Sequence, residues 1–175
     1  MATSVAPYLG NGQGRLADGR CVMAVGPMAA RTPQAPVESL GAIRRHRAEL
    51  LEAIQSFERA LAVAAADPAW RPGVARQLAR LRAAFADHVG VTEGAGGLYA
   101  GILDDAPRLA HEVDVLVREH ADIRATLEAL AERVDTEPER LRAWANDVLR
   151  EMSRHRQRGA DLIYEAYTTD IGGEN

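Results

Sequence analysis

The chain has 175 residues and a formal net charge of -4, the size of one ordinary domain with enough residues to bury a core. All 21 basic residues are arginine and none form a basic tract, which removes the electrostatic case for nucleic acid. The one cysteine, Cys21, excludes a disulfide framework and a cysteine-based zinc site, and no apolar run approaches the roughly 20 residues that cross a bilayer.

Alanine and leucine dominate a 47% hydrophobic composition with 5% aromatics, and β-branched residues rarely cluster, so helices are favoured over sheet. Residues 1–36 are rich in Gly, Ala and Pro without a sustained period and read as a flexible tail. Within them, CVMAVGPMAA (21–30) is too short and too interrupted by Gly and Pro for a signal peptide, and a cytoplasmic protein is expected. The first predicted helix covers about 38–65, with Ile43, His46, Leu50, Ile54, Phe57 and Leu61 on one stripe; DPAWRPG then breaks the chain. The second covers about 72–93 and carries Val74, Leu78, Leu81, Phe85 and His88, before the glycines at 94, 96 and 97. LYAGIL (98–103) forms a short piece across the bundle end.

The third helix covers about 107–134 through Leu109, Val113, Leu116, His120, Ile123, Leu127, Leu130 and Val134. The fourth covers about 137–167 through Leu141, Trp144, Val148, Met152, His155 and Leu162, with Thr136 expected as its N-cap and Pro138 in its first turn. The end of the chain, 169–175, reads as loose. Four amphipathic helices of similar length joined by short connectors predict an all-α fold, an antiparallel up-down-up-down four-helix bundle over 37–168.

Each helix thus places one histidine on its own apolar seam: His46, His88, His120 and His155. Seam positions are roughly two in seven, so chance puts four or more of the chain's five histidines there about one time in forty. Counting heights at about 1.5 Å per residue brings the four within roughly 10 Å along the bundle axis. A single seam histidine is most simply a hydrogen-bonded core residue. Four converging rings each need a donor and an acceptor satisfied, and a divalent metal satisfies the acceptor nitrogens together.

The carboxylates are less regular. Ile43, Phe85, Val117 and Met152 stand three residues before the four histidines, so the Glu-x-x-His pattern of ferritin-like di-iron bundles is absent. The nearest acids are Glu93, five residues after His88, and Asp161, six after His155. In a regular helix those steps turn about 140° and about 240° from the histidine, unless a π-bulge absorbs one residue.

The segments IRRHRAELL, FADHVGVTEGAGGLY, LVREHADIRATLEAL and SRHRQRGADLIYEAY, one on each helix and in order, resemble the hemerythrin-like (HHE cation-binding) family over about 40–167. The resemblance implies a four-helix bundle holding a non-haem di-iron centre that binds oxygen or senses oxidants. It implies that His46, His88, His120 and His155 are metal ligands. Three positions depart from the pattern: Thr92 stands where a bridging carboxylate is expected, with Glu93 one residue later. Leu116 replaces a further histidine, and Gly159 and Ala160 replace a carboxylate on the fourth helix, with Asp161 beyond.

The resulting expectation is an iron-binding protein, di-iron or mononuclear, that binds or senses O2, peroxide or nitric oxide. Its candidate ligands are His46, His88, Glu93, His120, His155 and Asp161. The alternative is a metal-free degenerate bundle that binds a partner or serves a structural role, its histidines packed and hydrogen-bonded. A peroxide-consuming enzyme is the weaker third reading, with Tyr99 or Tyr164 as proton donor. His111 falls off the stripe and reads as a surface residue.

Overall fold

The structure, a computed structural model, describes residues 37–168. Every regular element among them is helical: α1 (Val37–Ala62), α2 (Trp70–Glu93), α3 (Leu98–Asp105), α4 (Ala110–Glu132) and α5 (Pro138–Thr168), with a 3-10 turn at Pro107–Leu109 leading into α4. The expected tail over 1–36, including Cys21, and the end over 169–175 lie outside the described residues.

The connectors are set by local hydrogen bonds. Asp67 accepts from the Ala69 backbone N–H at 2.8 Å through its carboxylate and from Trp70 at 2.9 Å through its carbonyl, starting α2. At the start of α5 the cap is Glu137, whose carboxylate accepts from the Arg140 N–H at 3.0 Å, and Pro138 follows in the first turn, where its missing N–H costs nothing. Thr136, expected as that cap, instead offers its backbone carbonyl to Arg71 at 2.9 Å.

Two arginines tie helix ends together. Arg71, in the first turn of α2, donates to the Val134 and Thr136 carbonyls just beyond α4. Arg142, in the second turn of α5, donates to the carbonyls of Leu61 at the end of α1 at 3.1 Å and of Val63 at 2.8 Å. Both guanidinium groups also lie over the buried Trp70 ring, at 5.5 and 5.0 Å from its centroid.

The seam residues pack as their spacing dictates, with α1 most extensively on α2, α4 on α5, and α2 also on α4. One difference lies on α5, where Ala145 is fully buried and Trp144 only partly. The larger ring sits at the edge of the core beneath the Arg133 and Arg140 guanidinium groups, and the small side chain takes the close helix contact.

The apolar interior is divided. A large cluster includes Leu50, Phe57, Leu78, Leu81, Phe85, Ile123, Leu141 and Met152. A smaller one includes Tyr99, Ile102, Leu109, Leu116 and Leu162. On α4, His120 falls between Leu116 of the small cluster and Ile123 of the large one. On α5, His155 falls between Met152 of the large cluster and Leu162 of the small one. The break in the hydrophobic core is therefore occupied by imidazoles.

Candidate metal centre

Three of the four seam histidines converge in that break. Ligand nitrogens of His88, His120 and His155 all lie within 4.8 Å of one another. The Nε2 atoms of His120 and His155 are 2.9 Å apart, and those of His88 and His155 are 3.4 Å apart. Metal–imidazole bonds of about 2.1 Å place neighbouring ligand atoms roughly 3.0 Å apart in an octahedron and roughly 3.4 Å apart in a tetrahedron, so these separations suit one ion.

The outer nitrogens show how two of the rings are aimed. His120 Nδ1 lies 2.6 Å from Glu93 Oε1, and His155 Nδ1 lies 3.0 Å from Glu119 Oε2. A carboxylate accepts and never donates when ionised, so these partners assign the proton to Nδ1 in both rings. Both Nε2 atoms then present lone pairs, and the lone pairs meet at 2.9 Å. Two acceptors at that distance repel unless a proton or a cation lies between them. Carboxylate partners on the outer nitrogens of metal-ligating histidines are the usual means of fixing ring orientation and raising ligand basicity.

Burial keeps these rings neutral. It lowers the His88 imidazole from its ordinary 6.5 to about 3, with the nearby His120, His155, Arg47 and His46 charges adding to the effect. Burial likewise lowers His120 to about 3, followed by the effect of His155 and Arg124, and lowers His155 to about 4. Neutral imidazole is the form that binds metal. Aromatic rings pack against them. Phe85 meets His120 and His155 edge-on, with centroids 5.7 and 6.3 Å away, and Tyr99 lies nearly parallel to His120 at 5.9 Å. Burial and the Glu93 charge hold the Tyr99 phenol well above its ordinary 10.0, so it stays protonated.

His46 stands apart. Its side chain is 31% exposed, and it lines a cavity of about 30 Å³ together with His88, Thr92, Tyr99, His155 and Gly159. Its Nδ1 is 3.2 Å from Glu49 Oε2, yet that nitrogen is buried and not aligned for a hydrogen bond. The cavity volume accommodates about one or two waters or a ligand of similar size.

The two expected carboxylates part company. Glu93 reaches the centre, though by the outer edge of His120 and not as a group pointing at the ion position. Asp161 does not reach it: it is exposed, accepts from Gln157 Nε2 at 2.8 Å, and lines a separate surface groove with His111. The helices run without a π-bulge through 88–93 and 155–161, so nothing returns Asp161 to the histidine face. Thr92 is buried, its hydroxyl donating to the His88 and Val89 carbonyls at 2.9 and 3.1 Å. Leu116 is packed in the smaller apolar cluster. Tyr164 is 71% exposed and is no candidate for interior proton transfer.

Glu119 escaped the sequence reading. It bonds His155 and is itself paired with Arg158 one turn further along α5. The signal is the dipeptide Glu119-His120: one step along a helix turns about 100°, which places an acid on the flank beside a seam histidine. No family model matches the chain, and no curated protein or solved structure matches it.

Proposed function

We propose that the chain binds one transition-metal ion, iron first, through His88, His120 and His155, in an antiparallel up-down-up-down bundle of the hemerythrin-like kind. The observation that carries this reading is the pair of carboxylate-anchored imidazoles whose free nitrogens face each other at 2.9 Å, with a third at 3.4 Å. His88, His120 and His155 would hold the iron, which would supply a centre able to bind O2, peroxide or nitric oxide. Glu93 and Glu119 orient two of the ligand rings, Phe85 and Tyr99 pack against them, and the cavity beside His46 is the space for the incoming molecule. The inner position holds three imidazoles and no carboxylate, a donor set suited to one ion and poor in the bridging acids that two irons share. The reading is of a binding or sensing protein of the cytoplasm, not of an enzyme. No helix among the described residues is long and apolar enough to cross a membrane.

The test is metal content by elemental analysis after purification without chelator and again after anaerobic loading with ferrous iron. The visible spectrum is taken before and after peroxide. The expected result is about one iron per chain, since three imidazoles serve a single ion, with absorption that changes on oxidation. A chain that takes up no metal in either preparation leaves the helices and rejects the function, in favour of a metal-free module with packed histidines.

A further inference from the structure

The approach to the centre is asymmetric in charge. The cavity next to His88 and His155 is bounded by α1 through His46 and Arg47 and by α5 through Arg156 and Gly159. α1 packs chiefly on α2, and α5 chiefly on α4. Among the described residues, Arg47 and Arg156 are the permanently charged residues of its lining, and no aspartate or glutamate lines it. Neither arginine makes an ion pair with an acid among the described residues, whereas Arg82, Arg142, Arg150 and Arg158 each do. The Arg47 charge also reaches the interior, acting on both His88 and Tyr99. In a chain of net charge -4, the entrance to the histidines is locally cationic.

Unpaired guanidinium groups at the mouth of a narrow, low-dielectric cavity focus field lines inward and concentrate small anions there. Guanidinium keeps its charge at all working pH values, so the effect does not depend on a titration. The cavity of about 30 Å³ sets the size. We infer that Arg47 and Arg156 form an entrance that selects small monoanions over neutral diatomic gases as the ligand reaching the histidine-bound metal. The inference rests on the metal-binding reading of that same site and replaces the neutral ligands named there, O2, nitric oxide and uncharged peroxide, with small monoanions as the favoured class. Gly159 contributes room: a Cβ built there meets no atom within 4 Å, so the α5 wall is open where the ligand enters.

Stopped-flow association of azide with the ferric-loaded protein tests this, with nitric oxide and the ferrous form as the uncharged comparison. Salt is raised from about 10 mM to about 150 mM, which shortens the screening length from about 30 Å to about 8 Å. The azide rate constant should fall several-fold while that of nitric oxide stays flat. In an Arg47→Gln, Arg156→Gln double variant the low-salt ratio of azide to nitric oxide rates should drop about tenfold, and the salt dependence should flatten. Lysine at both positions should restore it. Iron per chain is measured in each sample. Azide rates that ignore salt in the unaltered protein overturn the inference, as does a folded, iron-loaded double variant with the full rate. If that variant fails to fold, the single variants Arg47→Gln and Arg156→Gln decide. Each is expected to lower the azide rate and flatten its salt dependence in part, and unchanged azide rates in both folded, iron-loaded single variants overturn the inference. A chain without iron overturns the metal reading and this one together.

Discussion

His120 and His155 differ from His46 and His88 in how they are held. The first pair is fully buried, and each ring is fixed at Nδ1 by a carboxylate from another helix, Glu93 from α2 and Glu119 from α4. The second pair is partly exposed and has no carboxylate hydrogen bond from another helix among the described residues; it borders the cavity, which His155 also touches, and His46 makes no aligned hydrogen bond through its buried Nδ1. A ring locked from behind holds its free nitrogen in one place. A ring that borders the cavity trades that precision for access. The centre is therefore read as having a rigid floor and an adjustable mouth, and each prediction below probes one of the two.

The largest effect is expected at the floor. His120→Ala or His155→Ala removes a proposed ligand, and should weaken metal binding by more than about 100-fold, beyond what loss of an orienting group costs. Competition with a chromophoric chelator reads the affinity, and retention of full occupancy by either variant removes that histidine from the site.

Next comes the orienting pair. Glu119→Ala should cost about 10- to 100-fold in metal affinity, and Glu93→Ala should fall at the low end of that range. The Glu93 side chain is 32% exposed and has no arginine on it among the described residues, while Glu119 is 19% exposed and is pinned by Arg158. Glu119→Gln keeps an oxygen that accepts from His155 Nδ1–H and should recover part of the loss. Equal affinities for Glu119→Ala and the unaltered chain would show that the floor does not depend on its anchors.

A smaller and more general effect is acid sensitivity of the metal-free chain. The folded His88 and His120 are lowered to about 3 and His155 to about 4 from 6.5. The unfolded chain therefore binds more protons between those values. Stability from these rings is complete above about 6.5 and declines as the pH falls towards 3. Urea midpoints measured in chelator across that window should fall with acid. His155→Gln should lessen the slope, and an unchanged slope would mean that the ring is not buried neutral.

The long elements and the three converging rings were legible because they share one signal, the spacing of seam positions on single helices. Leu78, Leu81 and Phe85 lead to His88, and Leu116 and Ile123 bracket His120. What depends on how two helices are rotated against each other was not legible. Glu119 reaches His155 because the flank of α4 faces α5, and no periodicity within α4 reports that. Asp161 fails for the complementary reason: α5 continues as a regular helix, so six residues carry its side chain to solvent. Glu93 sits at the last turn of α2, where leaving the His88 face brings it against α4. The exchange of Thr136 for Glu137 as the α5 cap is a one-residue shift of the kind sequence leaves open.

The smallest expected effect is the most informative about the mouth. His46 shares the seam register of the other three but lacks their setting: its ring is 31% exposed, it has no aligned hydrogen bond at Nδ1, and its contact with Glu49 is to a side chain that is itself 61% exposed. Without an orienting partner the ring has little to hold its nitrogen on an ion, so His46→Ala should change metal affinity by less than about tenfold, below the usual cost of removing even an orienting group. The same change enlarges the cavity beside His88 and should speed both azide and nitric oxide association. Because it removes no permanent charge, the preference between the two should persist. If His46→Ala instead loses the metal as completely as His120→Ala, His46 is a fourth ligand, and the division into floor and mouth is replaced by a ring of four equivalent histidines.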